Sequence, residues 1–209
     1  SSVRPNQNLK PEKIYHREIG VFTTLFGVEW GAAAYEDRTD QKIVFVPIQA
    51  NSSKALNVAK TEISGYDGSI TWQGESTGLT FKISELDALD KSKNKARTLP
   101  GIPNRITVME WRQQWAKPFS SYVTSRYRSE IYRDLANSIK LPGSVIYDLN
   151  LDCKYRRFEL GFAPRNLANT TDVEIASGAS KGRTSFSDFA GAPLPGRQWI
   201  LSLVYTTED

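Results

Sequence analysis

Between Val145 and Tyr155 the chain alternates without a break. Val145, Tyr147, Leu149, Leu151, Cys153 and Tyr155 fall on one face, and Asp148, Asn150, Asp152 and Lys154 on the other. A period of two marks a strand, and eleven residues is about twice the length of an ordinary globular strand, ~5–6 residues. It fits the ~9–11 tilted residues with which a strand crosses a bilayer as part of a barrel. Segments of the same kind fill the chain, and nine strands are predicted at 13–26, 28–45, 57–72, 79–90, 104–115, 119–132, 144–157, 158–167 and 197–208. No run approaches the ~18 apolar residues of a membrane helix.

The connections between these strands take turns. "FG" at 26–27, "QGESTG" at 73–78, "AKP" at 116–118 and the "RRF" corner at 156–158 are short. Between them fall the long polar stretches after Phe45, at 91–103, at 133–143 and at 168–196. In an antiparallel meander every second connection lies on the same rim, so one rim has tight turns and the other long loops. An outer-membrane barrel has that asymmetry. A soluble sandwich has no reason to keep it.

Face composition points the same way. In lipid every backbone N–H and C=O must be paired within the protein, so only helices and closed barrels cross. The outward face is then apolar with aromatic residues near both interfaces, here Trp111, Trp115, Tyr147, Tyr155, Phe158, Phe162, Trp199 and Tyr205. Glu110, Arg112, Gln114, Arg126, Arg128, Glu130, Asp148, Asn150 and Asp152 fall on the inward face, because Arg or Lys against mid-bilayer lipid costs about 2–4 kcal/mol.

Several short motifs then carry a family resemblance. "NQNLKPEK" at 6–13, Glu18-x-Gly20, "NVAKTEISGYD" ending at Asp67, "LPGIPNR" at 99–105, "KLPGSVIYDLNLDCKY" at 140–155, "APRNLANTTDVE" from 163 and "PGRQWILSLVY" at 195–205 occur in that order. Together they resemble the C-terminal part of a TonB-dependent outer-membrane receptor. The fold this implies is all-β, a transmembrane antiparallel β-barrel of which this chain supplies about nine C-terminal strands. Family barrels have about 22 strands around a plug. Nine strands do not close such a barrel, and a free edge in lipid is forbidden. The resemblance therefore implies a partner, either a second chain or a missing N-terminal portion, that carries the plug and the other strands. The terminus departs from the family pattern, with "TTED" following Tyr205.

What the resemblance implies for function is energised uptake of a scarce ligand of the siderophore, corrinoid or glycan class, with this chain as wall and extracellular loops. The inner-membrane TonB complex would act indirectly, through the plug. The alternative is a receptor-derived barrel subunit that serves as scaffold or adhesin without transport. The implied place is the bacterial outer membrane, in contact with its lipid and lipopolysaccharide, with long loops extracellular and short turns and C-terminus periplasmic.

Candidate ligand-facing residues of the lumen are Arg126, Arg128, Asp148 and Glu110, since guanidinium forks suit carboxylates and phosphates. Wall pairing is the stronger reading of the arginines: strands 119–132 and 144–157 run side by side, which puts Arg128 near Asp148 and Arg126 near Asn150 or Asp152, and opposite charges on neighbouring strands stabilise each other.

No cofactor or metal is expected, and no enzyme: His16, the only histidine, has no nucleophile motif beside it and reads as a lumen or rim residue. The alternating Lys91, Lys93, Lys95 and Arg97 read as a solvated loop. The net charge of +4 comes from 27 basic residues that are dispersed, so no nucleic-acid partner is expected. The single Cys153 has no disulfide partner. The polar start "SSVRPNQNLKPEK" is not a leader, so either a leader has been removed or the chain is a piece of something longer.

Overall fold

The computed structural model describes residues 2–49, 52–57, 60–92, 95–132, 136–171 and 196–207. Fifteen strands occur among them, and no helix. Nine form one antiparallel path: β2 (Lys13–Leu25), β3 (Val28–Asp40), β6 (Thr61–Gln73), β7 (Thr77–Asp90), β9 (Arg105–Gln114), β10 (Phe119–Arg128), β13 (Ser144–Tyr155), β14 (Phe158–Phe162) and β15 (Leu201–Tyr205). Each pairs with the next in sequence order, the simplest way for a chain that needs every backbone group satisfied to build a wide sheet. The two-residue β8 (Arg97–Thr98) pairs with the far end of β7.

Register sorts the side chains into two faces, because directly opposed residues lie on the same side. One row across seven strands reads Thr23, Trp30, Ile70, Phe81, Met109, Ser125, Tyr147. The neighbouring row, on the other face, reads Thr24, Glu29, Thr71, Thr80, Glu110, Thr124, Asp148. The first has no charge and the second has three carboxylates, so one face suits lipid and the other water.

Almost none of the apolar surface is buried within the chain. The buried apolar side chains among the described residues are Ala55, Ala88, Leu99, Ile131 and Leu141, along with Pro164, whereas Phe22, Trp30, Met109, Trp115, Leu151, Leu160, Trp199 and Leu203 are exposed. The outward aromatics pair at the tight-turn end and beside β14: Trp111 meets Trp115 edge-on at 5.9 Å, Phe158 lies 5.1 Å from Tyr205, and Phe162 stacks on Trp199 at 5.8 Å.

Several expected strands are shorter than their sequence patterns, for local reasons. The strand expected over 28–45 stops at Asp40, where Gln41 takes a left-handed φ of 60° and turns the chain out of the sheet. The polar stretch after Phe45 is not a simple loop: β4 (Ile43–Gln49) and β5 (Ser52–Asn57) form a hairpin, joined in parallel by β1 (Ser2–Arg4). Asn57 clamps its base, donating from Nδ2 to the Lys10 and Gln41 carbonyls at 2.9 and 2.8 Å and accepting the Lys10 N–H at Oδ1. The strand expected from Asn57 accordingly begins at Thr61.

The strand expected over 119–132 ends at Arg128. β11 (Ile131–Tyr132) instead pairs with β12 (Lys140–Leu141), burying Ile131 against Leu141. Gly143 permits that exit, since a Cβ there would lie 2.9 Å from the Arg128 carbonyl oxygen. The strand expected over 158–167 stops at Phe162 because Pro164 has no N–H to give, although irregular pairing continues: Ala163 donates to Ile200, and Arg165 and Gln198 exchange bonds at 2.9 and 3.1 Å. The last strand is confined to Leu201–Tyr205, and the loop expected at 168–196 falls mostly outside the described residues.

The face assignment has a direct test. Met109→Arg, in mid-row on the apolar face, is expected to destabilise the assembled barrel by about 2–4 kcal/mol. Thr124→Arg on the polar face is expected to cost less than about 0.5 kcal/mol. Urea unfolding in lipid vesicles measures both.

Candidate functional site

The polar face is where a ligand or an inserted segment would meet this sheet. Three of the four candidate residues belong to one neighbourhood, but not in the expected pairing. Asp148 sits directly opposite Thr124, and Arg126 opposite Ile146, so Arg126 reaches Asp148 diagonally and donates from Nη2 to Oδ2 at 2.9 Å. The expectation that Arg128 meets Asp148, and Arg126 meets Asn150 or Asp152, is corrected by that register. Arg128, opposite Ser144, donates from Nη1 to the Ser129 and Pro142 carbonyls at 3.2 Å and so fixes the point where the chain leaves β10. Glu110 lies in the Asp148 row with Thr124 between them, and makes no ion pair among the described residues.

Asp148 does more than hold Arg126. It is buried, and its Oδ1 accepts the backbone N–H of Asn166 at 2.9 Å. Asn166, also buried, takes a left-handed φ of 50°, a conformation Asn tolerates better than most residues. Its amide clasps Thr170 in both directions, donating to the Thr170 carbonyl at 2.6 Å and accepting its N–H at 2.8 Å. Thr170 Oγ1 then donates to the Val145 carbonyl at 2.8 Å. Within the "APRNLANTT" motif these bonds tie the end of β14 back to β13, a structural duty that occupies the carboxylate.

A second constellation, further along the sheet, was not singled out as a site by its sequence. His16, Glu18, Asp37 and Asp67 all lie on the polar face. His16 is directly opposite Asp37, Glu18 opposite Tyr35, and Asp67 opposite Ala33 and Ser84. His16 bridges two carboxylates, Nδ1 lying 2.6 Å from Asp37 Oδ1 and Nε2 3.2 Å from Glu18 Oε2. Glu18 and Asp67 border a concavity shared with Phe22, Gly31, Ala33 and Lys82.

Gly31 and Ala33 line it beside the Phe22 ring, and small residues lie opposite aromatic ones on this face. Phe22 opposes Gly31 and Tyr35 opposes Gly65. A Cβ on Gly31 would come within 3.0 Å of the Phe22 ring, and one on Gly65 would come 2.9 Å from the Tyr35 hydroxyl. Aromatic residues covering cross-strand glycines compensate for the missing side chain. The available signal was spacing: Glu18-x-Gly20 and Gly65-x-Asp67 each put an acid and a glycine on the same face. Among the described residues no group of three or more His, Cys, Asp or Glu is arranged to hold a metal ion.

A wide antiparallel sheet with one lipid-suited face, tight turns on one rim and long loops on the other defines part of a large transmembrane β-barrel. The model of the family described as TonB dependent receptor-like, beta-barrel matches residues 1–167, and the chain belongs to that family of outer-membrane receptors. The vitamin B12 transporter BtuB of Photobacterium profundum is 28% identical over 149 residues, which is 69% of this chain and 24% of that protein. Among solved structures, the copper transporter OprC superposes with a TM-score of 0.77 at 20% identity, covering 96% of this chain and 32% of that one. The ferric yersiniabactin uptake receptor FyuA from Yersinia pestis superposes with a TM-score of 0.75 at 14% identity, over 94% and 30%. The Fiu ferric-catecholate import receptor from E. coli K12 gives 0.73 at 17% identity, over 96% and 28%. The chain thus spans about a third or less of the length of these relatives.

The Asp148 network predicts an asymmetry. Asp148→Ala strands the Asn166 N–H and one arm of Arg126, and is expected to cost about 1–3 kcal/mol. Arg126→Ala removes only one half-exposed partner, and is expected to cost within about 1 kcal/mol. Equilibrium unfolding of the two variants checks the order.

Proposed function

We propose that this chain is wall and loops of an outer-membrane transporter that takes up a scarce ligand with energy from the TonB complex. The observation that carries it is the pairing of a lipid-suited face with a polar face bearing the Glu18–Asp67 concavity. In this reading the long loops are extracellular, and the tight turns and the segment after Tyr205 are periplasmic. β2 and β15 each have one strand partner among the described residues, and an open edge is not tolerated in lipid. Further strands of the same barrel cover those edges, from the same polypeptide or from a second one. A plug segment fills the lumen and brings basic side chains to Glu18 and Asp67; TonB acts on that plug and touches this wall only through it.

The named relatives carry vitamin B12, copper and ferric siderophores, and the ligand proposed here is of the siderophore, corrinoid or glycan class. Arg126 and Asp148 are wall residues in this account, whereas Glu110, with no ion pair among the described residues, is available to a ligand or to the plug. No step of the proposed activity is catalytic.

Uptake of ferric siderophores and cyanocobalamin into cells with and without TonB tests the proposal. One ligand is expected to enter only with TonB. The pair Glu18→Gln and Asp67→Asn is expected to leave barrel assembly intact and to slow that entry about tenfold, equivalent to ~1.4 kcal/mol of lost docking. A barrel that assembles and binds cells or surface proteins while moving no ligand under either condition is a scaffold or adhesin instead.

A further inference from the structure

Three asparagines near the long-loop rim grip a backbone in the same way. Asn57 donates from Nδ2 to the Lys10 carbonyl at 2.9 Å and accepts the Lys10 N–H at Oδ1, at 2.8 Å. Asn137 donates to the Thr98 carbonyl at 2.8 Å and accepts the Thr98 N–H at 3.0 Å. Asn166 closes on Thr170 likewise, at 2.6 and 2.8 Å. A side-chain amide carries a donor and an acceptor, as a peptide group does. Each asparagine therefore serves one residue as a neighbouring strand would.

Two of these grips join different loops. Asn57 ends β5, and Lys10 lies in the segment that leads into β2. Beside them Asn6 donates to the Ala55 carbonyl at 2.8 Å, the Ile43 N–H reaches Glu12 Oε2 at 3.2 Å, and β1 lies in parallel on β5. The segment before β2 and the hairpin at 43–57 are thus one body. Asn137 lies between β11 and β12, and Thr98 belongs to β8, which pairs with β7. There Gly101 donates to the Tyr132 carbonyl at 2.8 Å, and Leu99, Ile131 and Leu141 are buried. Asn137 holds a left-handed φ of 56°, which asparagine tolerates better than most residues. β8, its following turn and the β11–β12 pair form a second body, and the boundary between the two falls at the β6–β7 pair of the sheet.

We propose that Asn57 and Asn137 are positioning residues that lock four successive loops into two preformed jaws, so that the mouth of the barrel adapts to a ligand by movement between the jaws and not by ordering within them. The jaws follow from the hydrogen bonds, and their service to a ligand rests on the uptake reading above. A loop that must be ordered on binding weakens affinity, whereas a preformed one avoids that loss. Because each grip is two-way, removing one asparagine strips both the N–H and the C=O of its target residue of a partner.

The experiment uses the intact barrel protein that contains this chain, in detergent micelles, and reads amide exchange residue by residue. In the unsubstituted protein Lys10, Ile43, Thr98 and Gly101 are expected to exchange about tenfold or more slower than in an unstructured peptide. Free-peptide rates at these amides overturn the proposal. Asn137→Gly keeps the left-handed backbone and removes the grip. It is expected to speed exchange at Thr98 and Gly101 by about tenfold or more, and to leave Lys10 and Ile43 unchanged. Asn57→Ala is expected to do the reverse. A variant that loosens both pairs of loops alike, or neither, contradicts two separate jaws. If a variant does not assemble, protection in the unsubstituted protein decides. In cells, for whichever of ferric siderophores or cyanocobalamin enters, Asn137→Gly is expected to raise the half-saturating concentration about threefold with the maximal rate unchanged. A lowered maximal rate at unchanged half-saturation overturns the preformed mouth. Absence of any TonB-dependent entry removes the uptake reading instead, and the exchange rates alone then decide whether the jaws exist.

Discussion

Backbone hydrogen bonds that have no water to fall back on are the constraint from which this structure follows. In hydrocarbon an unpaired N–H or C=O costs several kcal/mol, so each strand must find its partner inside the protein. A meander of sequential antiparallel strands does this with the shortest connections, and the nine-strand path follows it from Lys13 to Tyr205. Pairing in turn imposes the period of two. It also explains how small the internal core is: Ile131 packs against Leu141 at the loop rim, while Trp30, Met109 and Leu203 remain exposed for lipid to cover.

Once the apolar side chains are committed outward, polar chemistry collects on the other face, where its members have distinct duties. Asp148 is spent on structure, its two oxygens holding Arg126 and the Asn166 backbone. Glu18 and Asp67 instead border a concavity lined by Gly31, Ala33 and the Phe22 ring. The same separation by height divides the outward face: charges absent from the apolar rows appear as a ladder of ion pairs one or two positions beyond Ile19, Ala34 and Tyr66.

The strand alternation was legible because it is local: Val145–Tyr155 needs no knowledge of its neighbours to declare its two faces. The all-β class and the barrel family followed from that pattern and from motif order. What the sequence hid depends on register. Arg126 and Asp148 are a diagonal pair because the register of β10 on β13 sets Arg126 opposite Ile146, and only a slip of four residues, from Ser144 to Asp148 opposite Arg128, would have produced the expected pairing. The hairpin at 43–57 was hidden because the apolar Ile43–Phe45 reads as the end of the strand before it and the Pro, Asn and Ser that follow read as a loop, and Gln41 is not a residue that announces a left-handed turn. The concavity was hidden because small side chains define it, visible only when Gly31 and Ala33 are brought beside Phe22 and Asp67.

The central claim is that alternate residues of each strand face lipid and lumen, and β13 tests it most directly. Spin labels placed singly from Val145 to Tyr155, in the assembled barrel in lipid bilayers and with Cys153 replaced by serine at the other positions, report collision with oxygen and with a water-soluble nickel chelate. The account predicts a period of two: oxygen contact high at Tyr147, Leu149, Leu151 and Cys153, and nickel contact high at Ile146, Asn150 and Asp152. Equal nickel access on both faces, or oxygen access without alternation, would contradict it.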